Sequence, residues 1–357
     1  MSRLRLLNPG PVTLSPGVRA ALAGPDLCHR EPEFFDIQDR IRSQLLSVYD
    51  NSAEDWAPVV ISGSGTSAVE AMIASLPGAD DTLLVVENGV YGERMTRMAE
   101  VHGIAHARLH IAWGAPIGPD ALAEAIQAHN ATHVAVVHHE TTTGRLNDLN
   151  AVHAVCQAHD AQLLIDAVSS FGAEAIDFGP AVTAVAATAN KCLHGAPGAA
   201  FVLARHTALE QATTRALYLD LAGYAAKQAA RGTPFTPGIP AFYALDAALE
   251  EHRAAGGWPA RREHYQTLAD QVGDGLAARG IDELVPRAQA SCVLRSYRLP
   301  AGVSYRRLHD HLKQAGFVIY AGQGQLADDI FRISTMGNLD ATDMDELLHV
   351  FDEIIAS

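Results

Sequence analysis

Between residues 57 and 205 of this 357-residue chain, short apolar runs alternate with longer amphipathic segments, and few architectures accept that rhythm. The runs read "APVVIS", "TLLVVE", "THVAVVHH", "AQLLIDA", "AVTAVAA" and "AAFVLA". Between them, "SAVEAMIASL", "GERMTRMAEVHG", "PDALAEAIQAHN" and "NAVHAVCQAHD" carry apolar residues at helical spacing. Strands that take turns with helices predict an α/β fold, a mostly parallel sheet flanked by helices. In such sheets ligands bind beyond the carboxyl ends of the strands, so the residues directly after each run are where chemistry is sought.

The rhythm breaks at "RGTPFTPGIP", residues 231–240. After it come the helical stretches "AFYALDAALEEHRAAGG" and "ARREHYQTLADQVGDGLAARG". A strand "SCVLRSYRL", a helix "YRRLHDHLKQAG", strands "FVIYAG" and "FRIST", and a terminal helix "TDMDELLHVFDEIIA" follow. The expected organisation is an N-terminal segment at 1–20, a large α/β domain at 21–240 and a smaller C-terminal α+β domain at 241–357.

A hydrophobic content of 48% supports a sizeable core. The net charge of −15, with no basic stripe, speaks against a nucleic-acid partner. No apolar run approaches the roughly 18 residues of a membrane helix, and the first residues have no signal-peptide core, so a soluble cytoplasmic protein without a membrane partner is expected. Cys28, Cys156, Cys192 and Cys292 lack any C-x-x-C spacing and read as small buried residues. His102, His106 and His110 recur every four residues, but "HGIAHARLHIAW" has no H-E-x-x-H and looks like a helix end running into a strand, so no metal site is expected.

Reading only the strand ends collects "SGSGTSAVE", "ENGVYGE", "HHETTTG", "LIDAVSS" and "TANKC". Ser64, Gly65 and Thr66 put glycine and hydroxyls at the start of a helix, a ready phosphate site. The stretch is neither G-x-G-x-x-G nor a Walker loop, which argues against a dinucleotide or nucleoside triphosphate. Asp166 ends "AQLLID" at the edge of the core, where an ionised carboxylate needs a partner. Lys191 ends the next strand's segment and is one of only three lysines among 26 lysines and arginines. A lysine partly desolvated in such a cleft acquires a lower pKa and acts as a nucleophile toward aldehydes and as a proton shuttle. A phosphate loop, an acid for a pyridinium nitrogen and a Schiff-base lysine together are what pyridoxal 5'-phosphate requires.

With these residues in hand, the chain resembles the class V aminotransferases of the fold-type I pyridoxal-phosphate enzymes. The resemblance runs from "NPGP" through "GSGTSAVEA", "NGVYGERM", "HHETTTG", "IDAVSSFG" and "ANKCLHGAPGAAFVLAR" to "GFVIYAG" and "FRISTMG". It implies that Lys191 binds the cofactor as a Schiff base and that Asp166 pairs with the ring nitrogen. It also implies that Tyr91 stacks on the ring, that Gly65, Thr66 and Ser64 bind the phosphate with Thr188 beside them, and that Thr141 lies near the ring's O3′ or Asp166. Asn190 stands where many relatives have histidine, and its role stays open. Thr236 in "TPFTPG" is implied to reach the phosphate of a neighbouring subunit, hence a homodimer. Arg332 is implied to bind the anionic end of a small-molecule amino donor and of an oxo-acid acceptor, as a planar fork suited to carboxylate or phosphonate.

Within the family, "ETTTG" and "SSFG" followed by "ANKC" are most similar to enzymes that transaminate 2-aminoethylphosphonate with pyruvate. "CHREPEFF", Cys28 to Phe35, instead resembles a segment of alanine:glyoxylate and serine:pyruvate aminotransferases, so those donors remain the alternative. A desulfurase would need a mobile nucleophilic cysteine, and none of the four sits in an obvious glycine-rich loop.

Overall fold

The computed structural model of the chain describes residues 4–355; the first three residues of the expected N-terminal segment and the last two of the C-terminal domain lie outside the described residues. Seven strands make the main sheet: β1 (Trp56–Gly63), β2 (Leu83–Glu87), β3 (His106–His110), β4 (His133–Val137), β5 (Gln162–Asp166), β6 (Val182–Thr188) and β7 (Gly198–Arg205). Their spatial order is β1-β7-β6-β5-β4-β2-β3. All neighbours are parallel except β7, which runs against both β1 and β6. The continuous apolar runs follow from cover on both faces. Val134 and Val136 of β4 join the core on one side, Ala135 and Val137 the core on the other, as the two-residue period of a strand requires.

The reversal of β7 matters for the site. Gly198, its first residue, pairs with Gly63, the last of β1, so the chain entering β7 from Lys191 crosses the same edge where β1, β5 and β6 end. The helices Gly65–Ser75 and Val90–Val101 also start at that edge, directly after β1 and β2.

A three-stranded antiparallel sheet forms the smaller unit: β8 (Leu294–Arg298), β9 (Tyr320–Ala321) and β10 (Ile330–Ser334), with β10 in the middle. Leu268, Val272 and Leu276 of the helix Gly257–Ala277 and Met344, Leu347 and Phe351 of the helix Ala341–Ile355 share its core. The expected single strand "FVIYAG" is two strands. Phe317–Val318 pairs in parallel with Arg5–Leu6, whereas Tyr320–Ala321 pairs with β10, and Ile319 between them is fully buried. The first pairing draws the N-terminal segment across the molecule and delivers residues 8–11 to the cleft.

The helix Ile239–Ala254 starts on a proline in its first turn, right after the "TPFTPG" break. Its Ala241, Phe242, Leu245 and Leu249 pack on the core of the main sheet. Three of the four cysteines are buried, but Cys28 is exposed, which corrects the expectation for that residue; it lies in the loop before the helix Pro32–Ser47, where Asp26 and Arg30 are exposed too. Among the described residues, no helix is long and apolar enough to cross a membrane.

Candidate active site

Asp166 is the last residue of β5, and its Oδ1 accepts the N–H of Val168 at 2.9 Å. No other hydrogen bond from a described residue ends on its carboxylate. Burial pushes its pKa up to about 6, against the pull of the Val168 N–H and of the Lys191 and Arg94 charges. Lys191 lines one small cavity with Asp166, Tyr91, Thr141, His139 and Ser169. Burial lowers the Lys191 pKa to about 8; Cys192 and Asp166 oppose that shift, and Arg332 and Arg94 add to it. The Nζ donates to the carbonyl of Pro9. Gly10 lies under the same side chain: a Cβ there would sit 2.7 Å from Lys191 Cδ, and its φ is +111°. Glycine is the residue that satisfies both demands, which gives the "NPGP" motif a physical role beside the lysine.

Tyr91 comes from the first turn of the helix Val90–Val101, whose N-cap is Gly89 and makes no side-chain cap bond. The cap is supplied from the loop after β4. Thr142 Oγ1 accepts the Val90 N–H at 3.1 Å and donates to Glu140 Oε1 at 2.6 Å, while Glu140 Oε2 accepts the Tyr91 N–H at 3.3 Å. A carboxylate at a helix N-terminus also meets the positive end of the helix dipole. Gly89 leaves room for Glu140, which a Cβ would strike. The motifs "NGVYG" and "ETTTG" therefore form one unit, and burial holds the Glu140 pKa up at about 7 against the Thr142 donors. Thr142→Val is expected to lower stability by about 1–3 kcal/mol, since it takes the acceptor from the part-buried Val90 N–H and removes the hydroxyl donor to Glu140 Oε1, which keeps only the Thr142 N–H. Urea unfolding of both proteins measures it.

Gly65 and Thr66 open the helix Gly65–Ser75, and Ser64, its N-cap, makes no side-chain cap bond. The first-turn amides of such a helix have no intrahelical acceptor. Thr66 lines a second small cavity with Tyr91, Arg94, Asp166 and Val168, so the loop and the acid share one space. A Cβ on Gly65 would lie 2.7 Å from Val168 Cγ1 and 3.4 Å from Thr188 Cβ, which puts Thr188 against this loop. The Thr188 hydroxyl lies 2.9 Å from Asn190 Oδ1 and 3.2 Å from the Ala199 carbonyl. Thr236 is apart from this group within the chain. It is exposed and lines a different recess, with Ser62, Tyr218 and Phe235.

Arg332 sits in the middle strand β10 and is 2% exposed. Its Nε donates to the Ala321 carbonyl at 2.8 Å, and its Nη1 to the Thr141 carbonyl at 2.9 Å and to Gln323 Oε1 at 3.2 Å. No carboxylate of a described residue lies within salt-bridge distance. A buried guanidinium held only by neutral oxygens is short of countercharge, and burial lowers its pKa. It does not line the Lys191 cavity itself but holds the carbonyl of Thr141, which does, and so ties the smaller unit to the site.

Three residues at this site were not singled out from the sequence. Arg94 stacks over Tyr91 with its Cζ 4.7 Å from the ring centroid, and its Nη1 lies 3.4 Å from Thr66 Oγ1. Its signal was available: three residues after Tyr91 in a helix is the same face. Glu140 was quoted within its motif without a role. Gln323 had no signal, because its loop has no motif of its own.

The family model described as Aminotransferase class-V matches residues 25–334. A 2-aminoethylphosphonate–pyruvate transaminase of Aeromonas hydrophila subsp. hydrophila is 36% identical over 347 residues, covering 94% of this chain and 90% of that protein. One of the same name from Lactiplantibacillus plantarum is 32% identical over 356 residues, covering 98% and 97%. Among solved structures, an aspartate aminotransferase of subgroup IV from Thermus thermophilus is similar with a TM-score of 0.90 and 29% identity, covering 99% of each chain. An alanine–glyoxylate aminotransferase from Nostoc sp. is similar with a TM-score of 0.92 and 26% identity, covering 99% of this chain and 96% of that one.

Proposed function

The chain belongs to the class V aminotransferases, and from that membership we propose that it moves the amino group of 2-aminoethylphosphonate to pyruvate, giving phosphonoacetaldehyde and alanine. The observation that carries this choice of donor is the run of relatives bearing that activity in their name at 32–36% identity over nearly the whole chain. The isolated charge of Arg332 is in keeping with it, since both substrates bring an anionic end.

Pyridoxal phosphate is the cofactor this family implies, and the donor set suits it. An amine of lowered proton affinity, a buried carboxylate with one oxygen uncommitted, an aromatic ring and a helix N-terminus border two adjoining cavities. When bound, pyridoxal phosphate supplies an aldehyde that condenses with amines and a ring that takes up the electron pair left on the carbon beside the amino nitrogen. Lys191 would hold the cofactor through Nζ. Asp166 would hold a proton on the ring nitrogen, and Tyr91 would cover one face of the ring, steadied by Arg94 behind it. Thr141 would border the ring near Lys191. The amides at Ser64, Gly65 and Thr66 would hold the phosphate, with Thr188 at their back. Thr236 would act on the phosphate of a second copy, which makes the working enzyme a homodimer.

In turnover, Lys191 Nζ moves the proton. With a pKa near 8 it exists in both protonation states at neutral pH, the condition under which a general base and acid work best. Asp166, with a pKa near 6, is charged at neutral pH and would keep the ring nitrogen protonated. Arg332 orients the donor and then the oxo acid by the same anionic end, which aligns each with Lys191. A donor panel tests the assignment. With pyruvate as acceptor, 2-aminoethylphosphonate is expected to give the highest kcat/KM; L-alanine or L-serine with glyoxylate exceeding it by tenfold or more would replace this reading with the alternative donors.

A further inference from the structure

The way Arg332 is held leaves a defined part of it free. A guanidinium has five N–H groups. The Nε proton goes to the Ala321 carbonyl, and the Nη1 protons go to the Thr141 carbonyl and Gln323 Oε1. Nη2, with two protons, donates to no described residue. The amide of Gln323 has one possible orientation at this contact: a guanidinium only donates, so the oxygen must face Arg332 and the amino group must face away. Gln323 Nε2 likewise makes no hydrogen bond to a described residue, and the side chain is partly exposed. Two donor groups of this contacting pair are thus uncommitted, Arg332 Nη2 and Gln323 Nε2.

The loop that carries Gln323 is held in place. Gly322 N–H donates to the Ile330 carbonyl at 3.0 Å, and Gln323 is the N-cap of the short 3₁₀ turn Gly324–Leu326. Gly324 packs under Trp113 of the larger unit; a Cβ there would be 2.6 Å from the indole. Trp113 in turn donates to Glu93 Oε1 at 3.1 Å. The backbone on both sides of Gln323 is therefore held, to β10 at Gly322 and against Trp113 at Gly324.

The two protons of one nitrogen diverge and cannot form the parallel pair of a bidentate fork, so Nη2 holds a carboxylate through one oxygen. A phosphonate has three oxygens and more negative charge, and so offers a further acceptor to a donor beside Nη2. We propose that Gln323 is the specificity-determining residue of the anion site, its Nε2 supplying the extra donor for a phosphonate while a carboxylate is held by Arg332 alone. This rests on the reading of Arg332 as the anion anchor given above.

The test uses the holoenzyme and two unreactive anions that differ only in the acid group, ethylphosphonate and propionate, with dissociation constants from titration calorimetry. Gln323→Leu is expected to weaken ethylphosphonate about tenfold or more, the loss of one hydrogen bond to a charged group, and propionate less than about threefold. Gln323→Glu is expected to weaken both, ethylphosphonate more, because the new carboxylate pairs with Arg332 and repels the ligand. Equal weakening of the two anions by Gln323→Leu, or no change in either, overturns the role of Gln323 while leaving the anchor intact. A wild-type enzyme that binds pyridoxal phosphate but neither anion overturns the anchor and this proposal together. A wild-type protein that binds no pyridoxal phosphate overturns the reading beneath both.

Discussion

Lys191→Ala is expected to abolish borohydride-reducible attachment of pyridoxal phosphate and to cut kcat by about 10⁴-fold or more, because in the proposed function one amine both holds the cofactor and moves the proton. The fold should survive. The Lys191 side chain makes one hydrogen bond, to the Pro9 carbonyl, and its removal relieves a charge that burial disfavours. The wild-type protein adds a pH signature. Its lysine loses its proton near pH 8, so the rate at which cofactor-free protein takes up pyridoxal phosphate should rise about tenfold per pH unit below that point and level off above it. Stopped-flow absorbance reads this directly. A rate still climbing at pH 10 would mean an amine of ordinary proton affinity, and a colourless wild-type protein would remove the aminotransferase chemistry altogether.

Arg332→Leu is expected to raise KM for both the amino donor and the oxo acid and to lower kcat/KM by about 10- to 100-fold for each, the value of one or two hydrogen bonds to a charged group. Cofactor absorbance should be retained, since Arg332 touches the Thr141 turn only through a carbonyl. Arg332→Lys keeps the charge and loses the guanidinium's fixed donor directions, so it should recover a part of the affinity and not the whole. Arg332→Leu also takes the donor from the Ala321 and Thr141 carbonyls, which should cost about 1–3 kcal/mol of stability. Measuring KM for each substrate beside the unfolding midpoint separates the two effects. An unchanged KM in a folded Arg332→Leu protein would move the anion site elsewhere.

Much of the site was legible because it lies at strand ends. Asp166 and Thr188 close β5 and β6, Gly65 and Tyr91 sit in the first turns of the helices that follow β1 and β2, and all are found by reading where an apolar run stops. Thr236, expected at the phosphate of a second copy, lies within its own chain in a recess with Ser62 and Tyr218, separate from the Lys191 cavity. The split of "FVIYAG" was not legible, since five apolar residues in a row look the same whether they pair with one neighbour or change from Arg5–Leu6 to β10 midway. The exposure of Cys28 escaped for a similar reason: composition favours buried cysteine, and only the loop it occupies decides otherwise.

From the sequence alone came the alternation that requires a covered parallel sheet, the edge at which chemistry is done, and the lysine and acid that meet there. Those follow from local rules, the period of a strand and the polarity at its end. Tertiary structure alone decided the rest: that Pro9 and Gly10 lie against Lys191 across 182 residues, that Glu140 and Thr142 cap the helix bearing Tyr91, and that Arg332 reaches Thr141 across 191 residues and shares Gln323. Contacts of that span depend on how the two sheets and the N-terminal segment pack together. A guanidinium's free protons can be counted only after its bound ones are known.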